Sequence, residues 1–142
     1  MQVDLTKPEA VDLVKQLCAK ADVFLCNLLI ARQEKFGLDP DSMKAINPKM
    51  VHATLTGYGT TGPDAWRPGY DVTAFFGRSG LSDASRDGDD GIPPQPRTAQ
   101  GDHTTGLALV GAILAALRLV ERTGEFQSVE TSLFEKIGRA HV

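Results

Sequence analysis

Nothing constrains this chain more than the segment from Gly101 to Gly124, GDHTTGLALVGAILAALRLVERTG. Its apolar residues fall on most sides of a helix rather than on one stripe. Gly106, Gly111, Ala112, Ala115 and Ala116 would let neighbouring elements approach closely. The spacing therefore predicts a central, buried helix over 103–122, ended by basic Arg118 and Arg122 and capped by Gly124. The longest apolar run, 106–117, stops at Arg118, well short of the roughly 20 residues that a membrane span needs. A helix of this kind needs covering layers, and the rest of the chain must supply them.

The remaining pattern supplies a sheet. Val3 to Leu5 reads as the end of a strand, and Thr6-Lys7-Pro8-Glu9 then offers a capping-box helix start with Pro near the first helical position. Val11, Val14, Leu17 and Cys18 recur at helical spacing over 10–19. Residues 21–26, ADVFLC, form an apolar run of strand length, the pattern of a parallel strand buried on both faces. Residues 31–36 read as a helix stopped by Gly37, and Asp39-Pro40-Asp41 opens another that ends near Ile46. KMVHATLT at 49–56 and QSVETSL at 127–133 complete the strand candidates, with a short amphipathic helix at 70–80 and a polar acidic loop at 82–91 between them. Strand and helix alternation of this kind predicts an α/β layer architecture within one domain.

Composition narrows the function classes. The chain has 142 residues, 42% of them hydrophobic, and a formal charge of −3. Its 15 Lys and Arg are scattered, so no basic stripe suited to nucleic acid emerges. Cys18 and Cys26 fit neither a metal pair nor a redox motif and read as reduced thiols of a cytosolic protein. His52, His103 and His141 have no ligand spacing, so no structural metal is expected. No signal-peptide pattern opens the sequence, and the expectation is a soluble, cytoplasmic protein.

Four local features bear on chemistry. The Pro-broken stretch 93–100 delivers Asp102, behind Gly101, onto the start of the long helix. An Asp there faces free backbone N–H groups and the positive end of the helix dipole, so it reads either as a cap or as a carboxylate nucleophile. Asn27 follows the first apolar strand, at the edge where open parallel sheets place ligands, and reads as a ligand contact or as a loop-stabilising residue. Gly57-Tyr58-Gly59-Thr60-Thr61-Gly62 spells G-x-G-x-x-G. The Pro63, Trp66 and Pro68 that follow deny it the helix a dinucleotide fingerprint requires, which leaves a tight turn. Asp83, Ser85, Asp87 and Gly88 half-match a calcium loop, but Pro94 stands where the bidentate Glu belongs.

Taken in order, DLTKPEAVDLVKQL, ADVFLCNLL with KFGLD, NPKMVHATLTGYGTTGP with RPGYD, and GDHTTGLALVGAILAALRLVERTGEFQSVETSLFE resemble the family III CoA-transferases, which include formyl-CoA and carnitine CoA-transferases and are related to α-methylacyl-CoA racemase. The resemblance spans residues 3–135. It implies part of a Rossmann-like α/β large domain, incomplete at both ends, with residues 136–142 a non-native tail. It also implies that Asp102 is the catalytic carboxylate and that Asn27 and Lys35 help to hold CoA. Arg67 and Tyr70, in the R-P-G-[YH]-D segment at 67–71, would lie beside the substrate.

The implied reaction moves CoA from an acyl-CoA thioester to a carboxylic acid through an aspartyl anhydride and an aspartyl-CoA thioester. CoA is then a substrate, no permanently bound cofactor is implied, and the parent protein is expected to be an interlocked homodimer. Relatives that racemise acyl-CoA carry His where this chain has Tyr70. Tyrosine, with a reference pKa near 10, is a poor base near neutrality, so transfer is favoured over α-proton chemistry. His103 would be a substitute base or a helix-start residue. A non-catalytic CoA-binding fragment is the remaining alternative. The family's usual E-N-F-R-P-G appears here as Cys26-Asn27-Leu28-Leu29-Ile30-Ala31, so the arginine of that loop is absent.

Overall fold

The computed structural model describes residues 2–96 and 99–135. The expected tail at 136–142 lies outside them. The chain runs α1 (Pro8–Cys18), β1 (Val23–Cys26), α2 (Ile30–Phe36), α3 (Pro40–Ile46), β2 (Val51–Thr56), a π-helical turn (Asp71–Gly77), α4 (Leu81–Ala84), α5 (Gln100–Thr123) and β3 (Gln127–Ser132). The three strands form one parallel sheet in the order β1-β2-β3, with Val23 opposite Val51 and Val51 opposite Gln127. This is the α/β class that the alternation predicts.

Local chemistry explains most boundaries. Pro8 occupies the first turn of α1, where its missing N–H costs nothing. The capping box does not form: Lys7 is the cap, and Asp4 instead accepts from the Thr6 N–H (3.0 Å) and hydroxyl (2.7 Å). Val3 to Leu5 is not a strand, because a turn at Leu5 and Thr6 breaks the extension. Asp39 caps α3 by accepting from the Ser42 N–H at 3.0 Å, and Gly37 ends α2 at φ 59. Leu81–Ala84 forms one helical turn inside the stretch that reads as loop, started by Gly80 at φ 82.

β2 is the middle strand and is buried along almost its whole length, with Val51, His52 and Ala53 fully enclosed. Cys18, Leu38, Met43 and Met50 form the core beside it, joined by Phe24, Ile46 and Phe126. Asn47 ties the α1 exit to the α3 end, its amide donating to the carbonyls of Cys18 (3.1 Å) and Ala21 (2.9 Å). Two expectations of burial fail. β1 is an edge strand whose Leu25 is 60% exposed. α5 is not enclosed either: Thr105, Leu109 and Ala116 are buried, while Leu107 is 74% and Leu114 62% exposed. A sheet can cover only one side of a helix, and no described residue covers the other. By length and composition α5 would pass for a membrane span, yet it packs on β2 and β3 as a helix on a sheet face does.

His52 sets a pH limit on this core. Its ring is fully buried, with Nε2 donating to the Leu38 carbonyl at 2.9 Å and Phe24 packed edge-on at 5.4 Å. Burial lowers its pKa from the ordinary value, against smaller opposing contributions from the Leu38 carbonyl and Asp39. Unfolded chains therefore take up a proton near pH 6.5 that the folded one refuses, so stability is full above about pH 6.5 and falls as the pH drops below it. The urea midpoint should decline between pH 7 and 5, and decline less in His52→Gln. An equal decline in both proteins would remove His52 as the cause.

Candidate active site

Parallel strands must return through a crossover, and this decides where the pieces of the site meet. All three strands end at one sheet edge, where Asn27, Gly57 and Leu133 follow Cys26, Thr56 and Ser132. A cavity of about 240 Å³ opens there, lined by Asn27, Leu29, Thr56, Gly57, Tyr70 and Leu133 among others. A neighbouring cavity of about 380 Å³ shares Asn27, Leu29 and Pro68 with it and adds Leu28 and Arg32. α5 leads into β3 within three residues and packs on β2 and β3, and at its start Gly101 lies against Asp71 and Phe75, next to the cavity-lining Tyr70.

The glycine turn closes this edge by backbone contact. A Cβ on Gly57 would lie 2.5 Å from the Gly69 Cα, and one on Gly69 2.8 Å from the Gly57 Cα. Gly59 and Gly62 hold φ of 92 and 91, and no helix follows until Asp71. The G-x-G-x-x-G spelling is thus the turn read from the sequence, returning the chain at Gly69 to present Tyr70.

Asp102 lies in the first turn of α5 with its side chain exposed and without a hydrogen bond among the described residues. It is not the cap. That position falls to Ala99, which has no side chain to offer and sits at φ 64, the one non-glycine with positive φ among the described residues. A left-handed alanine costs about 1–2 kcal/mol, partly offset in glycine by chain entropy. Ala99→Gly should therefore raise stability by about 0.5 kcal/mol, readable as a higher melting temperature.

Behind Asp102 the packing is tight. A Cβ on Gly101 would meet Asp71 Oδ1 at 2.2 Å and the Phe75 ring at 2.3 Å, so the π-helical turn presses directly on the α5 backbone. Asp71 is 6% exposed, and neither of its carboxylate oxygens has a partner among the described residues. Sequence reasoning passed over this residue, although its place at the end of the R-P-G-[YH]-D segment was the available signal.

Of the four expected substrate contacts, the fold brings two together. Asn27 and Tyr70 line one cavity, and Tyr70 is 77% exposed. Arg67 is occupied elsewhere, paired with Asp64 at 3.2 Å and lying 5.7 Å from the Tyr58 ring centre. Lys35 lines a different cavity of about 350 Å³ with Leu5, Pro8, Val11 and Asp12, its ammonium 5.8 Å from the Phe36 ring centre. Arg32, which no sequence signal marked, is the cation at the Asn27 cavity.

Comparison with known proteins gives a consistent answer. The profile of CoA-transferase family III matches residues 1–140. The (R)-2-hydroxy-4-methylpentanoate CoA-transferase of Clostridioides difficile is 35% identical over 135 residues, which cover 94% of this chain and 33% of that protein. The succinate–glutarate CoA-transferase of Agrobacterium fabrum is 38% identical over 132 residues, 93% of this chain and 32% of its own. Among solved structures, a CAIB/BAIF family protein from Brucella suis superposes with a TM-score of 0.85 at 38% identity, over 96% of this chain and 36% of that one. The protein Rv3272 of Mycobacterium tuberculosis gives 0.87 at 32% identity, over 97% and 40%. The chain spans about a third of the length of the curated relatives it matches.

Proposed function

This chain belongs to CoA-transferase family III, and from that premise we propose that it carries the nucleophile for moving CoA from an acyl-CoA to a carboxylic acid, with Asp102 as that nucleophile. What supports the reading is Asp102 itself, an exposed carboxylate in the first turn of α5 directly after Gly101, which packs against Asp71, the chain neighbour of the cavity-lining Tyr70.

A carboxylate oxygen of Asp102 attacks the thioester carbonyl carbon. The C–S bond breaks, CoA leaves as thiolate, and a mixed anhydride remains. The thiolate then attacks the Asp102 carboxyl carbon, the donor acid departs as carboxylate, and Asp102 becomes a CoA thioester. The acceptor carboxylate repeats both steps in reverse and restores free Asp102. Each addition places negative charge on a carbonyl oxygen, and the free N–H groups of the first α5 turn are donors available beside it. Asn27 and Tyr70, which line one cavity, are the residues we assign to substrate binding, whereas Arg67, paired with Asp64, and Lys35, on a separate cavity, are not brought to it.

Support for a homodimeric parent comes from the apolar stripe of Leu107, Val110 and Leu114, which no described residue covers. α-Proton chemistry remains the competing activity, and deuterium entering the α-carbon without any acceptor acid would reveal it. The direct test is covalent trapping. Protein mixed with acyl-CoA and quenched in acid should carry an acyl or CoA mass on the peptide containing Asp102, and turnover without either adduct sinks the reading.

A further inference from the structure

We propose that Arg32 is the anion anchor of the site, holding a phosphate of CoA in place of the arginine that this chain lacks at position 29; the inference rests on the CoA reading above. Leu29 stands where the E-N-F-R-P-G loop carries its cation. In the structure Leu29 is the cap of α2 and Arg32 lies three residues on, the spacing that puts two side chains on one helix face. Both line the cavity of about 380 Å³.

The loop that positions them is fixed from inside. Gln33, fully buried, donates its amide to the Leu28 carbonyl at 2.7 Å, and the Leu28 N–H reaches Cys26 Sγ at 3.4 Å. These contacts hold the register of α2 and so keep Arg32 at the cavity.

The charge is available. Ion pairs among the described residues join Asp64 to Arg67 and Arg78, Asp83 to Arg86, and Glu121 to Arg118, leaving Arg32 out. The other residues lining its cavity, Asn27, Leu28, Leu29 and Pro68, carry no charge. Lys35 opens onto a different cavity and Arg67 is paired and stacked. Two cavities that share Asn27, Leu29 and Pro68, one adding Arg32 and the other Tyr70, suit an elongated molecule with a phosphate head and a neutral amide-bearing arm. Phosphate matches the guanidinium fork in both charge and geometry.

Calorimetric titration with CoA and with phosphate-free pantetheine separates the contributions. Arg32→Gln should weaken CoA binding about tenfold, leave pantetheine binding unchanged and flatten the salt dependence of CoA binding. Leu29→Arg added to Arg32→Gln should restore the affinity for CoA. Equal CoA binding with and without Arg32, or equal weakening of both ligands, overturns the proposal. A double variant as weak as Arg32→Gln overturns the claim that the two positions serve one anion site. Wild-type protein that binds CoA no better than pantetheine also overturns the anchor, and wild-type protein that binds neither ligand overturns the CoA reading itself.

Discussion

Asp102→Asn is expected to lower the kcat of CoA transfer at least about a thousandfold in the protein that carries this chain, with almost no loss of fold stability. The amide keeps the shape of the carboxylate but cannot form the anhydride. Two readings of Asp102 separate here. A capping Asp would lose about 1 kcal/mol of stability on mutation and no activity. In the structure the cap position belongs to Ala99, and the Asp102 side chain is exposed with no hydrogen bond among the described residues. Only its interaction with the helix dipole remains, on the order of 0.5 kcal/mol. Steady-state kinetics beside a circular-dichroism melt measures both quantities, and an Asp102→Asn protein that still transfers CoA would refute the nucleophile assignment.

Gly101→Ala should be among the most damaging single-methyl additions in the chain, costing about 3 kcal/mol and disrupting the site with the fold. The added carbon would stand 2.2 Å from Asp71 Oδ1 and 2.3 and 2.5 Å from Phe75 carbons, distances that require the π-helical turn or the first turn of α5 to move. Either movement displaces Asp102. Gly106→Ala is the internal control: it lies in the same helix with nothing within 4 Å of the new methyl, so it should stabilise by roughly 0.5–1 kcal/mol through helix propensity. Comparing the two urea midpoints tests the packing. Similar values for both variants would mean that the close contact behind Asp102 is not rigid.

The parts of the site that were legible in sequence are those fixed by neighbours in the chain. Gly37 ending α2, Asp39 capping α3 and the strands at Val23–Cys26, Val51–Thr56 and Gln127–Ser132 all follow from local propensity and apolar pattern. The place of Asp102 in the first turn of α5 was legible too, from Gly101 and the apolar pattern that follows it, while its role rests on the family resemblance. The capping box at Thr6 failed because Asp4, two residues away, offered its hydroxyl and N–H a nearer acceptor. Asp71 and Arg32 were illegible for another reason. One matters because residues thirty positions later press it into burial, and the other because a loop three residues earlier opens beside it.

By itself the sequence determined the α/β class and the order of most strands and helices, because these depend on periodicity, capping and turn residues close together in the chain. Tertiary structure decided which cations line the cavities, which carboxylate is buried behind Gly101, and that α5 leaves Leu107, Val110 and Leu114 exposed among the described residues. Those outcomes depend on which distant elements meet. A hydrophobic pattern states that a helix has apolar faces to bury, whereas only the packed sheet shows which of them it can reach.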